Sequence, residues 1–237
     1  MQSNEPKILL FDIEATNLAA NFGFILCICY KWLGEKRVHT ISIRDFPRYT
    51  RDKTSDRDVV TAFARIYQQA DIVVGHYSTK FDTPYINARL LYHGRKPLPT
   101  VRHIDTWRVS KDRLRLNSNR LAAVAEFFDL GDKSPVLGPQ WIKAMAGEAS
   151  ALKYVEKHCR IDIEVLEKAY LKIRGLMPQH PNGNLVRGIK KACPTCGSTH
   201  LTRRGYLLSY TSRKPRFVCP NGHWSHGNPE KLKDVVR

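Results

Sequence analysis

The stretch KILLFDIEATNL, residues 7–18, decides how the fold is interpreted. Its apolar, branched side chains predict a buried β-strand from Lys7 to Ile13. Asp12 and Glu14 end this strand, and because side chains alternate along a strand, residues two positions apart point the same way. Two carboxylates this close resist joint ionisation unless a cation lies between them, so the pair is a candidate half-site for a divalent metal ion. Taken alone, such a pair is more often two solvated acids.

Strand and helix patterns alternate outward from this strand. The further predicted strands cover residues 23–32, 37–43, 71–74 and 102–105. The predicted helices cover residues 55–69, 83–92, 120–128 and 150–173. Tight connections between the first three strands predict an antiparallel meander, whereas the helix between the last two strands implies that these run parallel. The sequence therefore predicts an α/β fold with a mixed five-stranded sheet flanked by helices.

Length and composition are typical of a globular protein. Its 237 residues, 42% of them hydrophobic, suffice for one core with room for a small appendage. The longest apolar run, Phe24 to Tyr30, is much shorter than the roughly 18 to 20 residues that span a bilayer. The N-terminus MQSNEPK lacks the charged start and cleavage site of a secretory signal. We therefore expect a cytoplasmic protein with no membrane partner; the sequence does not indicate its oligomeric state.

The charge is strongly basic and unevenly distributed. The 39 lysines and arginines outnumber 22 acidic residues, a net charge of +17, and the chain from Tyr170 onward holds 13 basic and only 2 acidic residues. Such a surplus favours a polyanionic partner, because each contact with a phosphate releases condensed counterions. A solvated basic tail without a partner is the alternative interpretation.

A change in composition marks a domain boundary. The segment MPQHPNGN, residues 177–184, interrupts the helical pattern with Pro, Gly and Asn. We predict a first domain over residues 1–176, a linker over 177–188 and a second, smaller domain over 189–237.

Cysteines in the smaller domain have the spacing of metal ligands. The predicted ligands of one structural Zn²⁺ are Cys193, Cys196, Cys219 and His223. Three thiolates and one imidazole satisfy a tetrahedral zinc ion. His226 competes for the fourth position, and His200 is a weaker candidate. Strands predicted at residues 206–210 and 216–218 complete a zinc ribbon, whereas a redox pair would need a strand and helix context of its own.

Two further cysteines lie in the first domain's apolar pattern. Cys27 and Cys29 are two positions apart on a predicted strand, so they share a face and are predicted to be buried thiols. Disulfides are disfavoured because no secretory signal is present.

Three more ionisable residues stand at informative positions. Asp82 follows a short strand at the start of a helix, where an ordinary N-cap is the alternative to a functional acid. Asp162 lies within the long helix, with His158 one turn earlier on the same face. By themselves these two residues fit a surface ion pair as well as a catalytic pair.

Three stretches taken together resemble a known family. They read FDIEATNL (11–18), GHYSTKFDTPYINARL (75–90) and YVEKHCRIDIEVL (154–166), in that order along the chain. They resemble the three motifs of the DEDD superfamily of 3′-to-5′ exonucleases and are most similar to the proofreading domains of family-B DNA polymerases. The resemblance covers roughly residues 7–173 and implies a ribonuclease H-like fold.

The resemblance implies roles for individual residues. The motif carboxylates correspond to Asp12, Glu14, Asp82 and Asp162. In the family, such carboxylates hold two Mg²⁺ or Mn²⁺ ions, which activate the attacking water and stabilise the leaving 3′ oxygen. The family's third motif has Tyr-x3-Asp or His-x4-Asp, whereas this chain has His158-x3-Asp162. An imidazole with a pKa of about 6.5 accepts protons at neutral pH, so we assign His158 as the general base, with Tyr154 as its substitute.

Other motif positions imply contacts with the substrate strand. Leu18 resembles the apolar residue that wedges against the terminal base, with ordinary packing as the alternative. Tyr77 stands where the second motif usually has Asn, and Asn17 stands where the first often has Gly, so the local contacts differ from the family's. Asp105 ends the last predicted strand, either facing the cleft or capping the next segment.

Basic and aromatic residues interleave in the smaller domain. The predicted nucleic-acid contacts are Arg204, Tyr206 and Arg216. This composition suits a single strand, whose phosphates meet cations while its bases stack on rings. A purely structural ribbon is the alternative.

These inferences predict an exonuclease that releases 5′ nucleoside monophosphates from the 3′ ends of single-stranded DNA. DNA is preferred to RNA only because of the resemblance to proofreading domains. An RNA 3′-end-trimming exonuclease of the same superfamily is the alternative. A non-catalytic nucleic-acid-binding protein is a third possibility, although a phosphate-binding surface gains nothing from four converging carboxylates.

Overall fold

The computed structural model describes residues 5–131, 138–177 and 180–230. The chain divides into two compact units: Lys7–Ile173, which we call the sheet unit, and Arg174–Arg237 with Met1–Pro6, which we call the ribbon unit. The domain limits and linker predicted from the sequence stay predictions. Residues 178–179 of that linker and 231–237 of the predicted second domain lie outside the described residues.

The sheet unit is built on five strands in the order β3-β2-β1-β4-β5. Their bounds are β1 Ile8–Ala15, β2 Ile25–Trp32, β3 His39–Ser42, β4 Ile72–Gly75 and β5 Arg102–Asp105. The first three strands pair antiparallel, while β4 runs parallel to β1 and to β5. This confirms the predicted α/β class and the mixed five-stranded sheet.

Helices cover both faces of this sheet. They are α1 Arg57–Tyr67, α2 Asp82–Tyr92, α3 Thr106–Arg113, α4 Leu121–Phe128, α5 Gly138–Met145 and α6 Ala149–Ile173. On one face Phe63 of α1 packs against Phe11 of β1, with ring centroids 5.3 Å apart. On the other face α6 brings Cys159 to Asp12. Because Phe11 and Asp12 are neighbours on β1, their opposite environments follow from the alternation of side chains along a strand.

The sequence pattern did not predict α3 and α5. The buried residues of α3 are the polar Thr106 and Ser110, so this helix has no apolar stripe to reveal it. Helix α5 begins at Gly138-Pro139, a pair that is also typical of turns.

A buried ion network fixes the position of α2. Asp56 is fully buried and accepts a hydrogen bond from the backbone nitrogen of Ile25 at 2.9 Å. Arg89 of α2 donates to both carboxylate oxygens of Asp56, and His93 lies 2.7 Å from Oδ1. Arg89 also donates to the carbonyl oxygen of Ala20 at 3.2 Å. A buried charge with this many partners holds the helix in one place, because moving it would leave the carboxylate uncompensated.

The ribbon unit contains a three-stranded antiparallel sheet in the order β6-β7-β8. Its elements are α7 Asn184–Arg187, β6 Thr202–Leu208, β7 Arg213–Val218 and β8 Trp224–His226. The first two strands were predicted with shorter or shifted bounds. The third was not predicted, because three residues next to a candidate metal ligand give no alternation to recognise.

Within the described ranges, none of the helices combines the length and apolar character that crossing a bilayer requires.

Candidate functional site

The end of β1 and the middle of α6 bring acidic side chains together. Asp12 and Glu14 lie on the face of β1 that α6 covers, and α6 contributes Asp162 and His158. One ligand atom each from Glu14, His158 and Asp162 lie within 4.8 Å of one another. Asp12, Glu14 and Cys159 form a second group with the same limit, and Glu14 belongs to both. Three of the four predicted carboxylates are therefore linked through Glu14, which neighbours both Asp12 and Asp162.

The histidine that departs from the family's spacing takes part in this cluster. His158 Nε2 lies 3.7 Å from Asp162 Oδ2, with both side chains largely buried. Residues four apart on an α-helix lie one above the other, so the x3 spacing places the imidazole on the same face as Asp162.

Asp82 is connected to the site by a hydrogen bond with the backbone of β1. It is the first residue of α2, is only 3% exposed, and its Oδ1 accepts a hydrogen bond from Ile13 N at 3.1 Å. Ile13 lies between Asp12 and Glu14, so Asp82 is held beside these two acids. Among the described residues, however, the groups with ligand atoms within 4.8 Å of one another do not include Asp82. Burial raises the pKa of Asp82 to about 7, and the nearby charge of Asp105 adds to this effect.

This donor set fits hard divalent cations. Carboxylate oxygens lie together at a partly buried locus, with the His158 imidazole beside them, and Mg²⁺ and Mn²⁺ prefer such oxygen ligands. The raised pKa of Asp82 reflects the cost of burying a carboxylate, and a cation bound beside it would offset that cost.

Asp105 stabilises the second motif and caps α3. Its Oδ1 accepts hydrogen bonds from Trp107 N at 3.1 Å and Tyr77 N at 2.9 Å, and its Oδ2 accepts one from Thr79 N at 3.1 Å. Of the two interpretations left open by the sequence, the cap therefore holds.

Tyr77 has a backbone conformation that few non-glycine residues adopt. Its φ is +63°, and its ring meets Trp107 edge-on at 5.0 Å, leaving the side chain 44% exposed. The hydrogen bond from its backbone nitrogen to Asp105 offsets the cost of this conformation. Nothing in the local sequence pattern predicts a positive φ at a tyrosine.

The loop after β1 exposes apolar side chains. Leu18 is 86% exposed, so the alternative that it is a packing residue is wrong. Phe22, which the sequence analysis did not single out, is 77% exposed in the same loop. Asn17 makes a local turn, with its Oδ1 accepting a hydrogen bond from Ala19 N at 3.0 Å.

The ribbon unit holds a second cluster with the geometry of a zinc site. Cys193, Cys196, Cys219 and His223 place their ligand atoms within 4.8 Å of one another. The sulfur atoms of Cys196 and Cys219 are 3.8 Å apart. Bonds of 2.3 Å in a tetrahedron give ligand separations of about 3.8 Å, so the sulfurs already stand at zinc-binding distance.

The fourth member of this cluster is His223. Its Nδ1 lies 3.8 Å from Cys193 Sγ, and burial and the charge of Arg174 lower the pKa of its imidazole, which keeps it neutral as a ligand must be. Burial raises the pKa of Cys193 to about 11 in the absence of a cation. His226 is exposed on β8 and His200 is exposed before β6, and the cluster includes neither.

Cations stack on rings on both faces of the ribbon sheet. Arg203 and Arg213 lie over the ring of Tyr206, at 4.9 and 4.5 Å from its centroid. On the opposite face Arg216 lies 5.1 Å from the centroid of Trp224, which is 53% exposed. Arg204, also exposed, is at the irregularity in β6. The predicted contacts Tyr206 and Arg216 thus belong to different faces, and Trp224 joins the second.

Comparisons with known proteins agree with this architecture. A family model described as the RNase_H superfamily matches residues 9–173. A DNA polymerase III of PolC type from Ureaplasma parvum serovar 3 is 29% identical in an alignment 139 residues long, which covers 52% of this chain and 10% of that protein. The structure of the family B DNA polymerase from the archaeon Pyrobaculum calidifontis aligns with a TM-score of 0.59 at 16% identity, covering 87% of this chain and 31% of that one. The chain spans only a tenth to a third of these two relatives.

Proposed function

The chain belongs to the RNase_H superfamily, and from this premise we propose that it is a two-metal-ion 3′-to-5′ exonuclease. It releases 5′ nucleoside monophosphates from the 3′ ends of single-stranded DNA. The family match supports the coarser part of this proposal, a nuclease of that superfamily. The observation that supports the rest is that Glu14 neighbours both Asp12 and Asp162, while Asp82 accepts a hydrogen bond from the backbone between Asp12 and Glu14.

The four carboxylates would hold the cations. When bound, a pair of Mg²⁺ or Mn²⁺ ions lowers the pKa of a water molecule and neutralises charge on the scissile phosphate and the leaving oxygen. Asp12 and Glu14 are close enough to bind one ion together, and so are Glu14 and Asp162. Asp82, fixed by its bond from Ile13 N, would ionise fully once the counter-charge is present, because burial raises its pKa to about 7 and so leaves it partly protonated near neutrality.

His158 is the candidate general base. Its Nε2 accepts the proton of the attacking water, and the Asp162 carboxylate 3.7 Å away stabilises the imidazolium that results. Its place in the ligand group with Glu14 and Asp162 puts the imidazole at the carboxylate cluster, where the attacking water would be bound.

Each unit offers a surface of its own for nucleic acid. In the sheet unit the exposed Leu18 and Tyr77 offer apolar and aromatic surface for the terminal nucleotide. In the ribbon unit Tyr206 and Trp224, each with an arginine over its ring, offer stacking platforms beside positive charge.

The structural Zn²⁺ would be held by the cluster of Cys193, Cys196, Cys219 and His223. Action in the cytoplasm stays a prediction from the sequence.

The proposal is tested with oligonucleotides labelled at one end. DNA and RNA strands labelled at the 5′ or the 3′ end are incubated with protein and Mg²⁺, Mn²⁺ or no divalent cation. A 5′-labelled DNA strand should shorten one nucleotide at a time, and a 3′-labelled strand should give a labelled mononucleotide at once. The Asp12→Asn variant should be inactive, whereas Asp58→Asn, which loses only an exposed ion pair with Arg48, should act like wild type.

Three other outcomes would contradict, in turn, the DNA substrate, the cleavage activity and the metal assignment. Faster shortening of RNA would replace the substrate with RNA and favour a trimming enzyme. Binding without any cleavage, in either cation, would leave a nucleic-acid-binding protein. Equal activity of Asp12→Asn and wild type would overturn the metal assignment.

A further inference from the structure

Three buried thiols line the back of the carboxylate cluster. Cys27 and Cys29 lie on β2 and Cys159 lies on α6, all at most 1% exposed. In the register of β1 and β2, Cys29 pairs with Asp12 and Cys27 pairs with Glu14. Each thiol-bearing position on β2 is therefore the direct neighbour of a candidate metal ligand. The nuclease mechanism uses none of the three thiols.

The thiols are close enough to share one ion. Their sulfur atoms lie within 4.8 Å of one another. Three points no farther apart than this lie within about 2.8 Å of a common centre, which is 4.8 Å divided by √3. Bonds from sulfur to zinc are about 2.3 Å long, so inward shifts of roughly 0.5 Å suffice. Such shifts are within the reach of side-chain rotation about Cα–Cβ.

A carboxylate oxygen beside one of these thiols is the candidate fourth ligand. Asp12 Oδ2 lies 3.7 Å from Cys159 Sγ, and Asp12, Glu14 and Cys159 form a ligand group of their own. A tetrahedral ion with one oxygen and three sulfur ligands has oxygen-to-sulfur separations of about 3.5 Å, close to the distance observed. Asp12 thus lies between two ligand sets, one of oxygen and one of sulfur.

We propose that Cys27, Cys29 and Cys159 form a binding site for a thiophilic d¹⁰ metal ion, Zn²⁺ or Cd²⁺, with Asp12 as the fourth ligand. Three metal–sulfur bonds form, the thiol protons pass to the buffer, and no electrons are transferred. Mg²⁺ and Mn²⁺ prefer oxygen, so they leave this site to softer ions. Because the site takes Asp12 from the oxygen cluster, its occupation inhibits cleavage; this second part rests on the proposed function.

The binding part is tested by titrating the full chain with Cd²⁺ in excess Mg²⁺. The readouts are cadmium bound per chain after gel filtration and the ultraviolet absorbance of cadmium–thiolate bonds. Wild type should bind two Cd²⁺, one in each cysteine cluster. Cys27→Ala should bind one, and Cys196→Ser, which weakens only the ribbon cluster, should keep the thiolate absorbance of the site in the sheet unit. Alanine is nearly the size of cysteine, and circular dichroism checks that the variant is folded.

The cadmium titration of wild type is by itself enough to test the proposed thiol site. One Cd²⁺ per chain, or a second that brings no further thiolate absorbance, would overturn the proposed site whether or not the variants fold. A second ion that Cys27→Ala retains would also overturn it, since that ion must then sit on the carboxylates.

The inhibition part is tested with a labelled DNA strand in excess Mg²⁺. Zn²⁺ or Cd²⁺ should lower the wild-type rate at least tenfold at concentrations that leave Cys27→Ala active. Two bound Cd²⁺ without any cleavage in Mg²⁺ would contradict the proposed nuclease but leave the thiol site standing. Equal inhibition of both proteins would overturn the link between this site and Asp12.

Discussion

Replacing Asp82 with asparagine separates the cost of burying a carboxylate from its use as a metal ligand. In the absence of divalent cations, burial raises the pKa of Asp82 from 3.8 to about 7. A group with a raised pKa in the folded state contributes stability that is fully present below its unfolded pKa and is lost as the pH rises through its folded pKa. Because each unit of pKa shift corresponds to about 1.36 kcal/mol, the free energy of unfolding of wild type should fall by on the order of 4 kcal/mol between pH 4 and pH 8 through this group.

The Asp82→Asn side chain does not titrate, and it keeps an oxygen that can accept the bond from Ile13 N. The two proteins should therefore have similar free energies of unfolding at pH 4, while at pH 8 the variant should be more stable by up to about 4 kcal/mol. Taking the difference between them at each pH cancels the titration of all other groups.

The assay is urea unfolding of both proteins, followed by far-ultraviolet circular dichroism in buffers free of divalent cations. Chelators are avoided, because they would also strip the cysteine cluster of the ribbon unit. Adding Mg²⁺ at pH 8 should stabilise wild type and narrow the difference, since only the carboxylate binds the ion. A difference that stays constant between pH 4 and pH 8 would refute the assignment of Asp82 as a buried, titrating acid.

Three further predictions concern the base, the zinc cluster and the ribbon surface. His158→Ala should lower the cleavage rate roughly 10²- to 10⁴-fold while calorimetry finds metal binding unchanged, because the variant has no imidazole to accept the proton of the attacking water; a silent substitution would contradict its role. Cys193→Ser should release the Zn²⁺ of the ribbon cluster, so that metal analysis finds one zinc ion fewer per chain than in wild type, and should unfold the ribbon unit; a variant with the zinc content of wild type would contradict the ligand set. Arg216→Ala should weaken binding to single-stranded DNA and reduce the slope of its salt dependence by about one, with the exposed Lys190→Ala as the control; an unchanged slope would exclude this arginine from phosphate contact.

The sequence predicts the parts of the site that depend on local periodicity. Alternation along β1 already places Asp12 and Glu14 on one face, and helical spacing already stacks His158 on Asp162. The antiparallel pairing of β1, β2 and β3 follows from their short connections, and the parallel pairing of β4 with β5 follows from the helix between them.

Features that depend on distant partners are not predictable in this way. The positive φ of Tyr77 requires the acceptor Asp105, which lies 28 positions later. Cys29 and Cys159 are 130 positions apart in the chain but lie close together in space. The spacing of the cysteines along the chain does not predict this contact. The sequence also left the fourth ligand of the zinc cluster open between two histidines, because ligand choice depends on the turn after Cys219 rather than on the count of residues.

The buried carboxylate of Asp56 changes how a genetic screen of this protein should be interpreted. Its partner Arg89 stands on the same helix as Asp82, seven residues or about 10 Å along the axis, and also holds the carbonyl of Ala20 in the loop that contains Leu18. Substitution of Asp56 or Arg89 should therefore displace both Asp82 and the loop that contains Leu18. Substitutions at Asp56 and Arg89 will therefore be scored as inactive alongside true ligands, and only a refolding or metal-affinity assay will separate these scaffold mutants from catalytic ones.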